Sequence, residues 1–285
     1  MIEIKNLNYI YQPGMPNEKQ ALYDINITIE DHDFCAIIGH TGSGKSTLTQ
    51  HLNALVKPTS GRIVIDGVDV TDPAADLRAV RRTVGLVFQY PEHQLFEETV
   101  YKDIAFGPVN MGLSEDVVKQ RVFDAAELVG LDPALMDKSP FELSGGQKRR
   151  VAIAGVLSMQ PRVLVLDEPT AGLDPHGRDE ILSQLVSLYE RSDMTILFVS
   201  HSMEDVAKIA KHIIVLNKGR IYTQGTVSQV FSQGVDLQKI GLNVPQVTLL
   251  THKLISAGVD LPPDLYTVKY AAKIIAAKIQ EKNNA

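Results

Sequence analysis

Gly39-His40-Thr41-Gly42-Ser43-Gly44-Lys45-Ser46-Thr47 is the stretch on which the reading of this chain turns. It fits the pattern G-x-x-x-x-G-K-[ST]. The continuous apolar run 34–38 leads into it and a helix-forming segment, 45–55, follows it. Strand, glycine turn and helix are the context this pattern needs. Glycines let consecutive backbone N–H groups turn inward around phosphate oxygens. The start of the helix adds partial positive charge at the same point. Lys45 supplies a full charge for β and γ phosphates, and Ser46 offers a hydroxyl to Mg2+.

A phosphate loop does not by itself separate kinases, GTPases and ATPases. Guanine recognition calls for N-K-x-D. Asn217-Lys218-Gly219-Arg220 opens that way but lacks the aspartate, so it is expected to be a tight turn. Further along, Arg162-Val163-Leu164-Val165-Leu166-Asp167-Glu168 is an apolar strand ending in two acids. A buried strand of this kind delivers carboxylates to the sheet edge beside the phosphate loop. Asp167 is expected to hold Mg2+ through water and Glu168 to polarise an attacking water. Phosphoryl transfer chiefly needs positioning and charge stabilisation.

Outward from these motifs, residues 2–9 and 22–29 alternate as strands around a loop at 11–20, and 62–65 and 84–88 are short strands. Segments 99–106 and 115–129 have helical periodicity, broken by Pro108, Gly112, Gly130 and Pro133. A helix over 144–158 starts at a serine and two glycines. Strands at 162–166 and 194–199 then alternate with helices at 177–190 and 203–210, and 213–216 pairs with 220–224 as a hairpin. The pattern predicts an α/β fold with a mostly parallel sheet, an antiparallel N-terminal β part and a helical insert at about 90–160. A hinge is expected at 232–234, followed by helices at 244–257 and 265–282. Residues 1–233 are thus expected to be one nucleotide-binding domain and 234–285 a small helical extension.

Composition narrows the function. The 285 residues carry a net charge of -6, which offers no electrostatic case for binding nucleic acid. The single cysteine, Cys35, lies in an apolar strand, so no internal disulfide is possible and a reducing cytoplasm is the expectation. No secretory signal is visible, and no window approaches the roughly 18 apolar residues of a membrane span. Service to a membrane is expected to come through docking to a separate subunit.

Leu143-Ser144-Gly145-Gly146-Gln147 resembles the L-S-G-G-Q signature of ABC ATPases and lies upstream of the acidic strand, as in that family. It is also a helix start with a serine and two glycines, hence an anion site. The resemblance implies a P-loop NTPase fold of the ABC type. It implies that Ser144 and Gly146 meet the γ-phosphate of an ATP held by a second such domain, with Gly145 and Gln147 in the same nucleotide-binding motif. It also implies that Tyr11 stacks on adenine, that Gln89 senses Mg2+ and the membrane partner, that Ala171-Gly172-Leu173-Asp174, with alanine first where serine is frequent, is the loop linking the two sites and brings Asp174 to the nucleotide, and that His201 contacts the γ-phosphate. The resemblance spans roughly residues 1–231, with the hydrolytic motifs intact.

Gln89-Tyr90-Pro91-Glu92-His93-Gln94-Leu95-Phe96 and Asp103-Ile104-Ala105-Phe106-Gly107-Pro108 resemble the ATPases of energy-coupling factor (ECF) transporters, which import vitamins and transition-metal ions. Gly39-His40-Thr41-Gly42 is more similar to the second, A′-type, of their two paralogous ATPases, and the tail to their dimerisation extension. This implies a peripheral protein at the cytoplasmic face of the cell membrane. Its partners are a paralogous ATPase in a heterodimer, or a second copy, with a membrane coupling subunit and a substrate-binding membrane subunit. Leu95 and Phe96 either meet the coupling subunit or pack the insert. The competing readings are another ABC importer class, a soluble ABC ATPase and a non-enzymatic regulator. Intact Lys45, Asp167, Glu168 and His201 argue against the last.

Overall fold

Two sheets face each other across an apolar layer in the computed structural model, which describes residues 1–283; the final two residues of the expected extension lie outside the described residues. The chain begins with β1 (Ile2–Tyr11) and β2 (Lys19–Ile29), then β3 (Phe34–Gly39), α1 (Lys45–Leu52), β4 (Ser60–Ile65), β5 (Val68–Asp69), α2 (Leu77–Thr83) and β6 (Val84–Val87). A helical part follows: α3 (Val100–Asn110), α4 (Glu115–Leu128) and α5 (Gly145–Leu157). The βα alternation resumes with β7 (Val163–Asp167), α6 (Pro175–Arg191), β8 (Thr195–Val199), α7 (Met203–Ile209), β9 (His212–Asn217) and β10 (Arg220–Thr226). The tail is α8 (Val227–Phe231), α9 (Gly234–Lys239), α10 (Gln246–Ser256) and α11 (Val268–Asn283).

The smaller sheet has the order β2-β1-β4-β5 and is antiparallel. The larger has the order β10-β9-β3-β8-β7-β6. Within it β9, β3, β8, β7 and β6 run parallel, and only β10 is antiparallel. Parallel strands buried on both faces explain the unbroken apolar runs. In β3 successive side chains take opposite faces. Cys35 and Ile37 join Ile4, Ile25, Ile63, Leu48 and Leu52 between the sheets, which encloses α1 there. Phe34, Ala36 and Ile38 face the helices with Val151, Leu166, Phe198 and Phe231. Burial raises the Cys35 thiol far above its ordinary range, with Asp33 adding to the effect, so the sulfur is an inert core atom.

The structure departs from the sequence expectation at three places. The β1–β2 connection is shorter than the expected loop, because β1 extends to Tyr11 and β2 begins at Lys19. Pro108 does not end its helix; it lies inside α3. A proline there leaves the carbonyl of Ile104 without its usual N–H partner. The buried Ser158 hydroxyl takes that role, 2.8 Å from the Ile104 oxygen. At the expected hinge Ser232 and Gln233 are exposed, but its last residue is packed. Gly234 is buried at the first position of α9, where a Cβ would come within 3.2 Å of the His252 ring. Leu237, Leu242 and Val244 join the large core cluster, while Leu261, Leu265 and Ala271 form a small one of their own.

Ser158→Ala strands the Ile104 carbonyl in the core. It is expected to lower unfolding free energy by roughly 1–3 kcal/mol, seen as a lower urea midpoint with the nucleotide-binding affinity retained.

Candidate functional site

Parallel strands put their carboxyl ends on one edge, and that edge gathers the site. β3 ends at Gly39 and opens the phosphate loop; Gln89 follows β6, Asp167 and Glu168 end and follow β7, and His201 follows β8. These residues and Tyr11, His40, Thr41, Gly42, Gly44, Lys45, Ser46 and Thr47 line one open cavity of ≈ 1200 Å³. Ser43 lies beneath it, with its buried hydroxyl oxygen unpartnered among the described residues.

The loop requires glycine on steric grounds. A Cβ on Gly39 would lie 2.3 Å from the Leu216 carbonyl oxygen. Gly44 has φ 103, and a Cβ there would lie 2.8 Å from Leu22. Gly44 caps α1 without any side-chain hydrogen bond to the first N–H groups of the helix. Those donors are therefore open to an anion in the cavity. Lys45 Nζ donates to the carbonyl oxygens of Gly39 at 2.7 Å and His40 at 3.0 Å. Burial pulls its pKa down, against the opposing charges of Glu168 and Asp167.

The two acids do different things. Asp167 is 7% exposed, and burial raises its carboxyl above the usual range, although the Ser46 hydrogen bond and the Lys45 charge pull the other way. Consecutive strand residues point to opposite faces, yet Asp167 and Glu168 both line the cavity. The backbone explains this: Glu168 has φ 53, a left-handed conformation that costs a side-chain-bearing residue roughly 1–3 kcal/mol. Its amide still donates to the Val199 carbonyl at 3.0 Å, so the strained residue remains tied to β8. His201 Nδ1 donates to Glu168 Oε2 at 2.6 Å.

Tyr11 stands at the cavity rim, with its hydroxyl 3.0 Å from Thr47 Oγ1. Its ring meets Tyr9 edge-on, and Tyr9 meets His51 edge-on, each at 4.7 Å between centroids. His51 is fully buried and held to the Thr47 carbonyl at 2.7 Å; burial lowers its pKa.

Ser144, Gly145, Gly146, Gln147 and Asp174 are elsewhere. They line a separate cavity of ≈ 620 Å³ with Tyr90, Ala171, Gly172 and Leu173. Ser144 caps α5 in a reciprocal pair: its Oγ accepts from the Gln147 amide at 3.3 Å, and Gln147 Oε1 accepts from the Ser144 amide at 3.0 Å. Among the described residues, no acceptor takes the Ser144 hydroxyl hydrogen. Asp174 caps α6 through the Gly177 amide at 2.7 Å. One chain therefore presents two separate cavities, one at the phosphate loop and one at the signature.

The family model described as ABC transporter matches residues 22–171. The chain is 55% identical over 283 residues to an energy-coupling factor transporter ATP-binding protein, EcfA2, of Caldanaerobacter subterraneus subsp. tengcongensis, covering 99% of each chain. The chain belongs to the ABC transporter ATPases, in their energy-coupling factor branch. A second model, described as an AAA domain and putative AbiEii toxin of a type IV toxin–antitoxin system, matches residues 138–205, the part that holds the signature and acidic strand. Among solved structures, cbiO1 of Clostridium perfringens, described as part of the ABC transporter complex cbiONQ, aligns with TM-score 0.74 at 41% identity, covering 88% of this chain and 98% of that one. The ATP-binding cassette MJ0796, a dimer in a post-hydrolysis state with ADP and Pi, aligns with TM-score 0.71 at 30% identity, covering 79% of this chain and 98% of that one.

This ABC ATPase also uses residues that sequence reasoning passed over. The Lys218–Gly219 turn, expected only to join two strands, lines the phosphate-loop cavity, and the Gly219 amide donates to the Ser43 carbonyl at 3.0 Å. The tail reaches the same cavity: Gly241, Leu242 and Asn243 line it, and His40 Nε2 donates to the Ile240 carbonyl at 2.6 Å. Arg149, fully buried on α5, bonds Glu92 and the chain just after Glu168. No sequence pattern links these pairs, which lie 57 and 200 residues apart for Arg149–Glu92 and His40–Ile240. Leu95 is packed in the core, whereas Phe96 is exposed and meets the exposed Phe106 edge-on at 4.9 Å. Among the described residues no helix is long and apolar enough to cross a membrane.

The raised Asp167 carboxyl predicts a trade between stability and activity. Its ionised form is penalised in the folded state, so at pH 7 without Mg2+ the Asp167→Asn protein is expected to melt higher than the parent. That gain shrinks as pH falls through the folded pKa and vanishes below the unfolded value of about 3.9, where both states hold the proton. Thermal melts across pH, paired with loss of ATP turnover, check this.

Proposed function

We propose that this chain is the A′-type ATPase of an energy-coupling factor importer, hydrolysing ATP at a site shared between two nucleotide-binding domains. The observation that carries the reading is the separation of the half-sites. The phosphate loop, Asp167, Glu168 and His201 line one cavity, and Ser144–Gln147 with Asp174 line another. Neither is a complete ABC site, and each supplies what the other lacks. Pairing the chain with a second domain brings a signature helix start onto each phosphate loop.

In that pairing Tyr11 stacks on adenine, the open N–H groups of α1 and Lys45 bind the β and γ phosphates, and the free hydroxyl hydrogen of Ser144 meets the γ-phosphate from across the interface. Lys45 exchanges its bonds to the Gly39 and His40 carbonyls for bonds to phosphate. Glu168 polarises the attacking water, and His201, oriented by Glu168, steadies the γ-phosphate. The residues fit Mg2+. Ser46, Asp167 and Gln89 are hard oxygen donors, and the buried Asp167 carboxylate lacks a full counter-charge. Held by Ser46, Asp167 and Gln89, Mg2+ would supply positive charge to the phosphate oxygens.

Residues 1–233 act as the nucleotide-binding domain, and the helical extension beyond them serves dimerisation. Val235, Leu250, Val268 and Ile279 give the extension exposed apolar surface for that contact. The mate is a paralogous ATPase, with a second copy as the alternative. The exposed Phe96–Phe106 pair on the helical part receives a membrane coupling subunit, and a separate membrane protein selects a vitamin or transition-metal ion. The protein then works as a peripheral subunit at the cytoplasmic face of the membrane.

Glu168→Gln tests the shared site. Turnover is expected to fall by at least about 100-fold, while ATP with Mg2+ drives a lasting association of the ATPase pair, measured by light scattering. Absence of any ATP-dependent association would overturn the reading.

A further inference from the structure

Arg149 and Glu92 line the cavity of Ser144, and the Arg149 guanidinium bridges three segments of the chain there. The Arg149 side chain is 3% exposed. Nε and Nη2 form a fork on Glu92, at 3.1 Å to Oε2 and 2.9 Å to Oε1. Nη1 donates to the carbonyl oxygens of Pro169 at 3.0 Å and Ala171 at 2.9 Å. Four donor contacts thus join three segments: α5 behind the signature, the short turn Pro91–Gln94 that follows Gln89, and the chain between Glu168 and Gly172.

These segments belong to both half-sites. Gln89 and Glu168 line the phosphate-loop cavity; Ser144 and Ala171–Asp174 line the second one. Tyr90, beside Gln89, has φ 55, and Glu168 has φ 53, so each segment turns sharply next to its bond to Arg149. An isolated buried guanidinium or carboxylate is costly, so the fork is retained while the segments move. A displacement of any one segment then pulls on the other two through the bonds to Arg149.

We propose that Arg149 is a positioning residue that couples the two half-sites of one subunit, so that closing a partner's ATP onto Ser144 sets Glu168 and Gln89 at the chain's own ATP. The inference rests on the shared-site reading. It makes Glu92 the element through which movement of the 89–96 segment reaches both sites.

The test uses the intact ATPase pair as purified, with ATP affinity, turnover and the Hill coefficient measured for parent, Arg149→Lys, Glu92→Gln and the double variant. In Arg149→Lys the ammonium cannot hold the Glu92 fork and both carbonyls at once, yet the buried charge is kept and folding is protected. The parent is expected to approach a Hill coefficient of about 2 for two coupled sites. Arg149→Lys is expected to fall towards about 1 and to lose about tenfold in turnover, with ATP affinity within about twofold of the parent. The double variant is expected to be no worse than Arg149→Lys alone, as for two ends of one link. A residue that only stabilises the fold would lower the melting temperature and leave the Hill coefficient of the folded protein unchanged. That result, or additive losses in the double variant, overturns the proposal. A parent that hydrolyses ATP without cooperativity overturns the coupling alone, and a parent that does not bind ATP overturns the shared-site reading as well.

Discussion

The parallel course of β9, β3, β8, β7 and β6 is the constraint on which the rest of this molecule depends. Parallel neighbours force each connection to cross back over a face of the sheet, so the strands all finish at one edge. Gly39, Gln89, the Asp167–Glu168 pair and His201 are far apart in the chain and meet only for that reason. The same crossovers put the start of α1 against the loop, where its unpaired N–H groups face the cavity.

The chemistry then makes local demands that the fold absorbs. Glu168 adopts a left-handed backbone so that its carboxylate shares a cavity with that of Asp167. Asp167 and Lys45 are both buried enough for their charged forms to be disfavoured. In the proposed function, a phosphate-bearing ligand with Mg2+ would relieve both. The site is less stable without its substrate than a neutral, apolar edge of the same sheet would be. The two core layers on either side of β3 offset that cost.

The helical part has a different logic. The pairing of α5 with the turn 91–94 through Arg149 puts a buried ion pair in the lining of the signature cavity. Around it, the proline inside α3 is accommodated because Ser158 caps the carbonyl that the proline leaves bare. Both are long-range polar bonds in an apolar setting, where an unmade bond is expensive and geometry is correspondingly well specified.

Much of the site was legible in the sequence. The phosphate loop, the acidic strand end and the signature are contiguous strings whose chemistry depends on neighbouring residues, and local periodicity located nearly every strand and helix around them. Proline and glycine misled at Pro108 and at 232–234 because tertiary packing supplied partners that local preference cannot anticipate. The sequence by itself determined which residues could bind phosphate and hold a metal ion, since those properties belong to side-chain type and to the short backbone motif that carries it. Only the tertiary structure decided that the signature lies in a cavity apart from the phosphate loop, that residues 241–243 wall the nucleotide cavity, and that Arg149 joins Glu92 to the Pro169 and Ala171 carbonyls. Those are meetings between distant segments, set by sheet order and core packing, and no local pattern of residues encodes them.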